Sequence, residues 1–248
     1  MQFKIILPLI LSIILSSCSP DTKNAEDKDT IVVATSADNP PYEYIQDGKV
    51  VGLDIDIMND LAKKMGKKLV IKNLDFPGLL PALASNNIDA VIAALTVTED
   101  RKSRVDFSDA YISTSMAVLF RKGEGLKSVK DLESKIIGVQ TGTTWENYAK
   151  ELSIKLNNVR LRSLSNNLVL VEELKTGTVD VIIMEEMQVA KFMSNIADME
   201  SFSLQDTKGE FAIALPKNST LTPLINKAIE KLKTDGVLND IKAKWLIK

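Results

Sequence analysis

Three short segments of this sequence carry side chains that could bind a small charged molecule. The first, Thr96–Arg101, follows an apolar run that ends at Leu95, and it places a guanidinium near the backbone N–H groups of a strand end. A planar guanidinium beside free N–H donors can hold a carboxylate through two parallel hydrogen bonds. The plainer interpretation is that Thr98 caps a short helix whose first turn contains Glu99 and Asp100. The residues alone leave both interpretations open.

Two further segments could meet opposite charges. Gln140–Thr144 lies between a strand and a helix, where hydroxyls and N–H groups can form an anion site, although a capped turn explains it equally well. No lysine follows in the Walker pattern, which argues against a nucleotide.

Met184–Glu186 follows an apolar strand, so a carboxylate there points towards the crevice of an open α/β sheet and could bind an ammonium. The alternative is two acids in the first turn of a helix.

The composition excludes several other kinds of chemistry. Histidine is absent, which removes Ser-His and Cys-His catalysis and histidine metal ligands. A single cysteine allows no internal disulfide, thiolate zinc site or iron–sulfur cluster, so we expect no metal and no cofactor. With 31 basic and 33 acidic residues the net charge is −2, which argues against a nucleic-acid partner.

The first thirty residues are typical of an export and anchoring segment. The apolar run Ile5–Leu15 is too short for a membrane-spanning helix of about 20 residues, and it suits a signal peptide. It leads into Leu15-Ser16-Ser17-Cys18, which resembles a bacterial lipobox whose cysteine receives lipid. The alternative is a plain cleaved signal with an incidental cysteine. We expect residues 1–17 to be removed and residues 18–29 to tether a periplasmic protein to the membrane at Cys18.

The rest of the chain alternates strands and helices, which must position the three segments. Several strands are continuously apolar, as is typical of strands covered on both faces. The predicted strands are 31–35, 69–71, 90–94, 116–120, 136–139, 179–183 and 211–214, and the predicted helices are 53–65, 77–86, 144–154, 166–176, 186–194, 221–233 and 237–247. This alternation predicts an α/β fold with mostly parallel sheets.

Two turn-rich stretches, 121–128 and 205–210, are places where the chain could pass between two lobes. They predict one lobe made of residues 30–118 and 211–248, and a second lobe made of residues 119–210. The cleft between two lobes is a preferred location for a ligand.

Taken together, the segments resemble the extracytoplasmic solute-binding proteins of ABC importers, specifically the polar-amino-acid family (family 3). The motifs are ATSADNPPYEY (34–44), GKVVGLDIDIMNDLAKKMGKK (48–68), DFPGLLPALASNNIDAVIAALTVTEDRKSRVDFSDAYI (75–112), GVQTGTTWENYA (138–149), VDVIIME (179–185) and GVLNDIKAKW (236–245). The resemblance covers nearly the whole mature chain. It implies a two-lobe periplasmic-binding-protein-like fold (type II) with two hinge strands. It also implies a monomer that closes around one free amino acid and delivers it to the transmembrane subunits of an ABC permease.

The resemblance also implies roles for individual residues. Arg101 would hold the α-carboxylate of the ligand, assisted by Thr96 and by the backbone around Ala94. Thr144, at a helix start in the other lobe, would add a donor to the same group. Glu185 stands where the family usually has an aspartate that pairs with the α-ammonium.

Four more residues would line the pocket for the ligand side chain, with Phe76 as the aromatic ring and Ser36, Asn39 and Gln140 as polar neighbours. Asn39 replaces the Tyr or Phe of many relatives, and Ser36 replaces an acidic or amide residue that often meets a basic side chain. A Glu at 185 together with the Gln-Thr-Gly-Thr sequence is similar to some arginine-binding members. We therefore expect a polar or basic amino acid, with arginine and glutamine as candidates.

Two alternatives use the same residues differently. One is a periplasmic enzyme on the same scaffold, resembling the cyclohexadienyl dehydratases, in which Glu185 would be an acid of raised pKa in the cleft. Arg101, Thr96 and Glu185 together would bind both charges of a free amino acid, which favours a binding protein over an enzyme. The other alternative is the sensor domain of a receptor, which is disfavoured because no transmembrane helix or kinase segment follows.

Overall fold

The computed structural model describes residues 29–246 of the 248-residue chain. The predicted signal peptide, the Cys18 lipidation site and the tether up to residue 28 lie outside the described residues. Within the described range the chain forms two five-stranded sheets and one three-stranded sheet. None of the helices between residues 29 and 246 combines the length and apolar character needed to cross a bilayer.

Strands and helices alternate along the chain as the sequence predicts. The strands are β1 (Thr30–Thr35), β2 (Asp38–Asn39), β3 (Glu43–Gln46), β4 (Lys49–Val51), β5 (Lys68–Asn73), β6 (Ala90–Val91), β7 (Asp106–Phe107), β8 (Ile112–Arg121), β9 (Ile136–Gln140), β10 (Arg160–Leu164), β11 (Val181–Glu185), β12 (Met199–Phe211) and β13 (Ala214–Leu215). The helices are α1 (Leu53–Lys64), α2 (Leu79–Ala84), α3 (Glu99–Arg104), α4 (Thr144–Lys155), α5 (Asn167–Thr176), α6 (Glu186–Asn195), α7 (Leu221–Thr234) and α8 (Val237–Leu246). Short 3-10 helices occur at Phe76–Gly78 and Val129–Leu132.

The two large sheets define two lobes. Lobe 1 is built on the sheet with strand order β5-β1-β6-β13-β7, and lobe 2 on the sheet with order β10-β9-β11-β8-β12. In lobe 1, β1 runs parallel to β5 and β6, whereas β13 is antiparallel to β6 and β7. In lobe 2, β9 runs parallel to β10 and β11, whereas β8 is antiparallel to β11 and β12. The sheets are therefore mixed rather than mostly parallel, because the strands next to the lobe crossings run against the βαβ strands.

Each lobe has its own apolar core, because each sheet has to bury its apolar faces against the helices of its own lobe. Helices α1, α7 and α8 pack on one face of the lobe 1 sheet, around Ile57, Leu61 and Ile229. Helix α2 contributes Leu79 and Leu83 to a second cluster of lobe 1. In lobe 2, helices α4, α5 and α6 cover a sheet whose strand β11 is buried along its whole length.

The long strands β8 and β12 connect the lobes. They pair antiparallel, with a register irregularity between Leu204 and Gly209. Their ends at Ile112 and Phe211 pack in the lobe 1 core, whereas Ala117 lies in the lobe 2 core. The predicted lobe limits at 118/119 and 210/211 fall inside or at the end of these strands. The turn at 121–128, one of the two predicted crossings, instead joins β8 to β9 within lobe 2.

Two predicted strands differ from the structure at the places that matter for the site. The predicted strand 90–94 ends at Val91, and Ala94 has a left-handed φ of 43° that turns the chain towards the inter-lobe cleft. The predicted strand 179–183 is shifted to Val181–Glu185, so that Glu185 is the last residue of β11 rather than a residue beyond it.

Candidate ligand-binding site

The residues selected from the sequence gather at the edges of the two sheets that face each other. Ser36 follows β1, Ala94 and Thr96 follow β6, Gln140 ends β9 and Glu185 ends β11. Because the carboxyl ends of parallel strands lie on one edge of a sheet, each lobe presents its set of residues to the cleft.

Arg101 is a buried guanidinium that touches both lobes. Its side chain is 6% exposed, and it lies in α3, which the hydroxyl of Thr98 caps by accepting from the Arg101 N–H at 3.2 Å. Nη1 donates to the Thr96 carbonyl of its own lobe at 2.6 Å, and Nη2 donates to the Gly142 carbonyl of lobe 2 at 3.0 Å. Burial lowers the pKa of Arg101 to about 10, so the group stays charged at neutral pH.

Phe76 and the start of α4 lie near Arg101 in the structure. The guanidinium carbon lies 5.7 Å from the centre of the Phe76 ring, which places a cation over an aromatic face. Thr144 is the first residue of α4, and Thr143 caps that helix by accepting from the Glu146 N–H at 3.1 Å. Thr144 and Thr96 line a common cavity of about 410 Å³. The same segment therefore contains the helix cap and a helix start that lines a cavity.

Glu185 is the buried anion of lobe 2. Its side chain is 1% exposed, and burial raises its pKa to about 7, although the Gln188 N–H partly offsets this by donating to Oε2 at 2.9 Å. Oε1 accepts from the Thr114 hydroxyl at 3.2 Å. Burial raises the pKa of the Tyr42 hydroxyl of lobe 1, and the charge of Glu185 raises it further. Glu185 thus caps α6 and also faces the other lobe.

A hydrogen-bond partner of Arg101 and a hydrogen-bond partner of Glu185 line the same cavity. Thr96, which accepts from Arg101, and Thr114, which donates to Glu185, both line the cavity of about 410 Å³. Glu185 lines an adjoining cavity of about 590 Å³ that shares Thr114 and Gly209 with it. Neither charged group forms an ion pair with any residue between 29 and 246. The cleft can therefore supply opposite counter-ions to a zwitterion.

Asp38 is a site residue that the sequence analysis did not select. It is 4% exposed, belongs to lobe 1, and accepts through Oδ2 from two groups of lobe 2: Gln140 Nε2 at 3.0 Å and the Asn167 N–H at 2.6 Å. Ser36 donates to Oδ1 at 3.1 Å. Burial raises the pKa of Asp38 to about 6. Two of the selected polar residues, Ser36 and Gln140, are thus joined through a carboxylate that links the lobes.

The backbone around Ala94 is held by a buried carboxyl pair rather than left free. The Ala94 N–H donates to Asp54 Oδ2 at 2.7 Å, so this donor is already engaged and any assistance to a ligand has to come from other groups of the segment. Tyr111 donates to the same oxygen at 2.9 Å. Burial raises the pKa of both Asp54 and Glu43, and the charge of the nearby Asp54 raises the pKa of Glu43 further.

Several buried polar atoms around the cleft have no hydrogen-bond partner within the described residues. Asn39 donates from Nδ2 to Glu43 Oε1 at 2.8 Å, but its Oδ1 is unpaired. The side-chain amides of Asn167 and Gln188 are unpaired at both atoms, and both side chains are 0% exposed. Asn167 and Gln188 each follow the carboxyl end of a strand, which is the signal that sequence reasoning could have used to find them.

The sequence and the structure of this chain are similar to those of known bacterial binding proteins. The family model for bacterial extracellular solute-binding proteins, family 3, matches residues 31–248. The arginine-binding extracellular protein ArtP of Bacillus subtilis (strain 168) is 34% identical over 237 residues, which cover 93% of this chain and 92% of that protein. A probable histidine-binding protein of Campylobacter jejuni is 32% identical, with 87% of this chain and 84% of that protein covered. The solved structure of an ancestral arginine-binding protein bound to arginine is 37% identical with a TM-score of 0.85, covering 89% of this chain and 99% of that chain.

Proposed function

The chain belongs to family 3 of the bacterial extracellular solute-binding proteins, and from this premise we propose that its cleft captures a free polar or basic amino acid, with arginine and glutamine as the leading candidates. It is the extracytoplasmic amino-acid-binding component of an ABC importer, and a binding protein rather than an enzyme.

Arg101 binds the α-carboxylate of the ligand, and Thr96 and Thr144 border that group. Glu185 binds the α-ammonium from lobe 2. The ligand side chain extends along Phe76 towards Ser36, Asn39 and Gln140. The observation that carries this proposal is a pair of buried, opposite charges, Arg101 and Glu185, that have no counter-ion among the described residues.

Binding then favours the closed form for an electrostatic reason. The ligand carries both missing counter-ions, and the two protein charges belong to elements of different lobes, so both are satisfied only when the lobes meet. Buried hydrogen bonds to charged groups are worth about 1.5–3 kcal/mol each when both partners are fully paired. The gain in affinity from closure is limited to the difference in ligand affinity between the closed and open forms.

Isothermal titration calorimetry of the purified protein against the twenty amino acids tests this proposal. We expect binding of one or a few polar amino acids and none of the apolar ones. The absence of binding by any polar amino acid would contradict it.

The protein is anchored to the membrane by lipid on Cys18, next to the ABC permease to which it delivers the amino acid. The support for the anchor is the position of the only cysteine, directly after Leu15-Ser16-Ser17. Metabolic labelling with a radioactive fatty acid should mark the wild type and not Cys18→Ser, and the variant should leave the membrane fraction. An unlabelled wild-type protein would instead indicate a plain cleaved signal.

A further inference from the structure

Asn167 is a polar residue that is buried between the lobes without a side-chain partner. It is the first residue of α5, and its side chain is 0% exposed, with neither Nδ2 nor Oδ1 bonded to any described residue. Its backbone N–H donates at 2.6 Å to Asp38 Oδ2, which belongs to lobe 1. Buried amides are almost always hydrogen-bonded, because leaving one unpaired costs its full desolvation energy. A partner supplied by a ligand in the cleft would remove this cost.

The side chains of lobe 1 next to Asn167 present acceptor oxygens. Asn39 uses its Nδ2 to donate to Glu43 at 2.8 Å, and this bond fixes the amide so that the unpaired, buried Oδ1 is an acceptor. Asp38 Oδ1 accepts from the Ser36 hydroxyl at a long 3.1 Å, which leaves capacity for another donor. A ligand group that reaches this end of the cleft therefore has to bring several N–H donors.

The charge at this end is negative and uncompensated. Asp38 is buried, and its partners from lobe 2 are a neutral amide and a backbone N–H. Asp38 forms no ion pair with any lysine or arginine between residues 29 and 246. A guanidinium has five N–H donors in one plane, a positive charge and no acceptor, whereas an amide has two donor hydrogens, one acceptor and no charge. The acceptor-rich, anionic end of the cleft fits the guanidinium better.

We propose that Asn167 is a specificity-determining residue whose side-chain oxygen, together with Asp38 and Asn39, accepts hydrogen bonds from a guanidinium at the end of the ligand side chain. This inference rests on the proposed function, because it assumes that an amino acid occupies the cleft. The unpaired Nδ2 of Asn167 remains available to donate to a bridging water.

The test compares Asn167→Leu and Asn167→Ala with the wild type, by calorimetric titration with arginine, glutamine and norleucine. Norleucine has a long side chain without a polar end group. We expect the wild-type protein to prefer arginine and to show no measurable binding of norleucine. We expect both variants to bind arginine at least about tenfold more weakly, with norleucine binding still absent or newly measurable. Asn195→Ala, which truncates an exposed asparagine of lobe 2, is the control and should bind like the wild type.

Thermal unfolding without ligand separates this role from a structural one. If Asn167 served the fold, Asn167→Leu would be less stable than the wild type. If Asn167 instead contacts the ligand and has no partner within the protein, leucine has nearly the same shape and loses no hydrogen bond. Asn167→Leu should then unfold at the same temperature as the wild type or at a higher one. If Asn167→Leu failed to fold, Asn167→Ala would carry the same comparison.

The outcomes distinguish this inference from the proposed function. Arginine affinities in both variants that stay within about twofold of the wild-type value would overturn the role of Asn167 and leave the proposed function intact. A wild-type protein that binds glutamine but not arginine would overturn the guanidinium assignment. A wild-type protein that binds none of the amino acids would overturn the proposed function itself.

Discussion

Arg101 and Glu185 owe their chemistry to burial in the cleft rather than to their own sequence neighbours. The nearest acids to Arg101 along the chain, Glu99 and Asp100, form ion pairs with Lys102 and Arg104 on the exposed side of α3. The buried guanidinium is left with backbone carbonyls as its partners among the described residues. Carbonyl groups solvate a cation but do not neutralise its charge. A ligand carboxylate would therefore form a strong ion pair with Arg101 that is shielded from water.

Replacing Arg101 tests the carboxylate partner directly. We expect Arg101→Ala to weaken binding of the preferred amino acid by at least about 30-fold, because truncating one partner of a buried charge pair costs about 2–5 kcal/mol. The measurement is calorimetric titration of variant and wild type. Arg104→Ala is the matched control, since Arg104 lies on the same helix, is exposed and pairs with Asp100. A loss of less than about tenfold in Arg101→Ala would show that the carboxylate binds elsewhere.

Glu185 makes binding depend on pH, and the direction follows from its raised pKa. At pH 8 the carboxylate is ionised and can pair with an α-ammonium, whereas below about 7 the ligand-free cleft holds a proton there. Binding must then expel that proton, so we expect affinity to fall as pH decreases from 8 to 6.5, by at most tenfold per pH unit. Titrations in two buffers of different ionisation enthalpy should show proton release on binding.

The amide variant Glu185→Gln provides the comparison for this pH effect. It should bind at least about tenfold more weakly at pH 8 and lose the dependence on pH between 8 and 6.5. Any slope that remains below pH 6.5 is expected from Asp38 and Asp54, each of which has a pKa of about 6. An unchanged slope in Glu185→Gln above pH 6.5 would assign the proton to another group.

At the scale of elements, the site uses strand ends and helix starts that serve both structure and ligand. At the start of α4, Thr143 caps the helix by accepting from the Glu146 N–H at 3.1 Å, and Glu146 Oε2 accepts from the Gly142 N–H at 2.9 Å. This cap holds the Gly142 carbonyl in the loop that reaches Arg101 across the cleft. The structural and functional interpretations of these segments are therefore compatible rather than exclusive.

Gly52, just before α1, allows the backbone to pass close to the Tyr42 carbonyl group. Its φ is 135°, and a Cβ at this position would lie 2.1 Å from the Tyr42 carbonyl oxygen. This approach lets α1 begin at Leu53, so that Asp54 reaches the Ala94 N–H. We expect Gly52→Ala to lower the free energy of unfolding by roughly 3 kcal/mol or more, from combined backbone strain and overlap.

Chemical denaturation measures this effect, with Gly48→Ala as the control. Gly48 also has a positive φ, of 72°, but a Cβ there would meet no atom within 4 Å. We expect a cost of about 1–2 kcal/mol for Gly48→Ala from the left-handed conformation alone. Equal losses in the two variants would mean that the contact with Tyr42 is relieved by a shift of the chain.

Long, strongly patterned elements were predictable, and short ones were not. The recurrence of Leu53, Ile57 and Leu61 every four residues predicted α1, because a helix buries one face at that spacing. The strands β2, β3 and β4, with two to four residues each, carry no period that distinguishes them from loops. Asp38 and Asn39 form β2, so the sequence pattern did not predict the strand that carries these two residues of the candidate site.

At the scale of the whole molecule, the two lobes meet through a small number of polar contacts over the cleft. Asp38 accepts from Gln140 and Asn167, and Arg101 donates to Gly142. Strands β8 and β12 provide the covalent connections. We propose that their irregular pairing between Leu204 and Gly209 is where the hinge bends, since an interrupted ladder resists bending less than a regular one.

Asp38→Ala tests the polar contacts that hold the lobes together. The variant removes the acceptor of two hydrogen bonds between the lobes, so we expect a larger radius of gyration without ligand and a roughly tenfold lower affinity. With saturating amino acid the radius should approach that of the liganded wild type. Small-angle X-ray scattering and calorimetry measure the two effects, and Asp240→Ala on the exposed side of α8 is the control. Identical scattering and affinity would show that Asp38 does not contribute to closure.

The sequence by itself determined the class of fold and the chemical types at the site. The alternation of apolar runs predicted an α/β fold. Arg101 and Thr144 lie beyond the carboxyl ends of strands and Glu185 ends β11, at the edge of the sheet where such folds bind ligands. These features are local, since they depend on hydrophobic spacing and on the order of elements along the chain.

Only the tertiary structure decided which partners these residues have. Asp38 meets Asn167 although 129 residues separate them, and Asp54 holds Ala94 from 40 residues away. The burial that raises the pKa of Glu185 and encloses the unpaired amide of Asn167 comes from residues that are distant along the chain. No local pattern encodes the loss of water from a charged group, because that loss depends on which distant surface covers it.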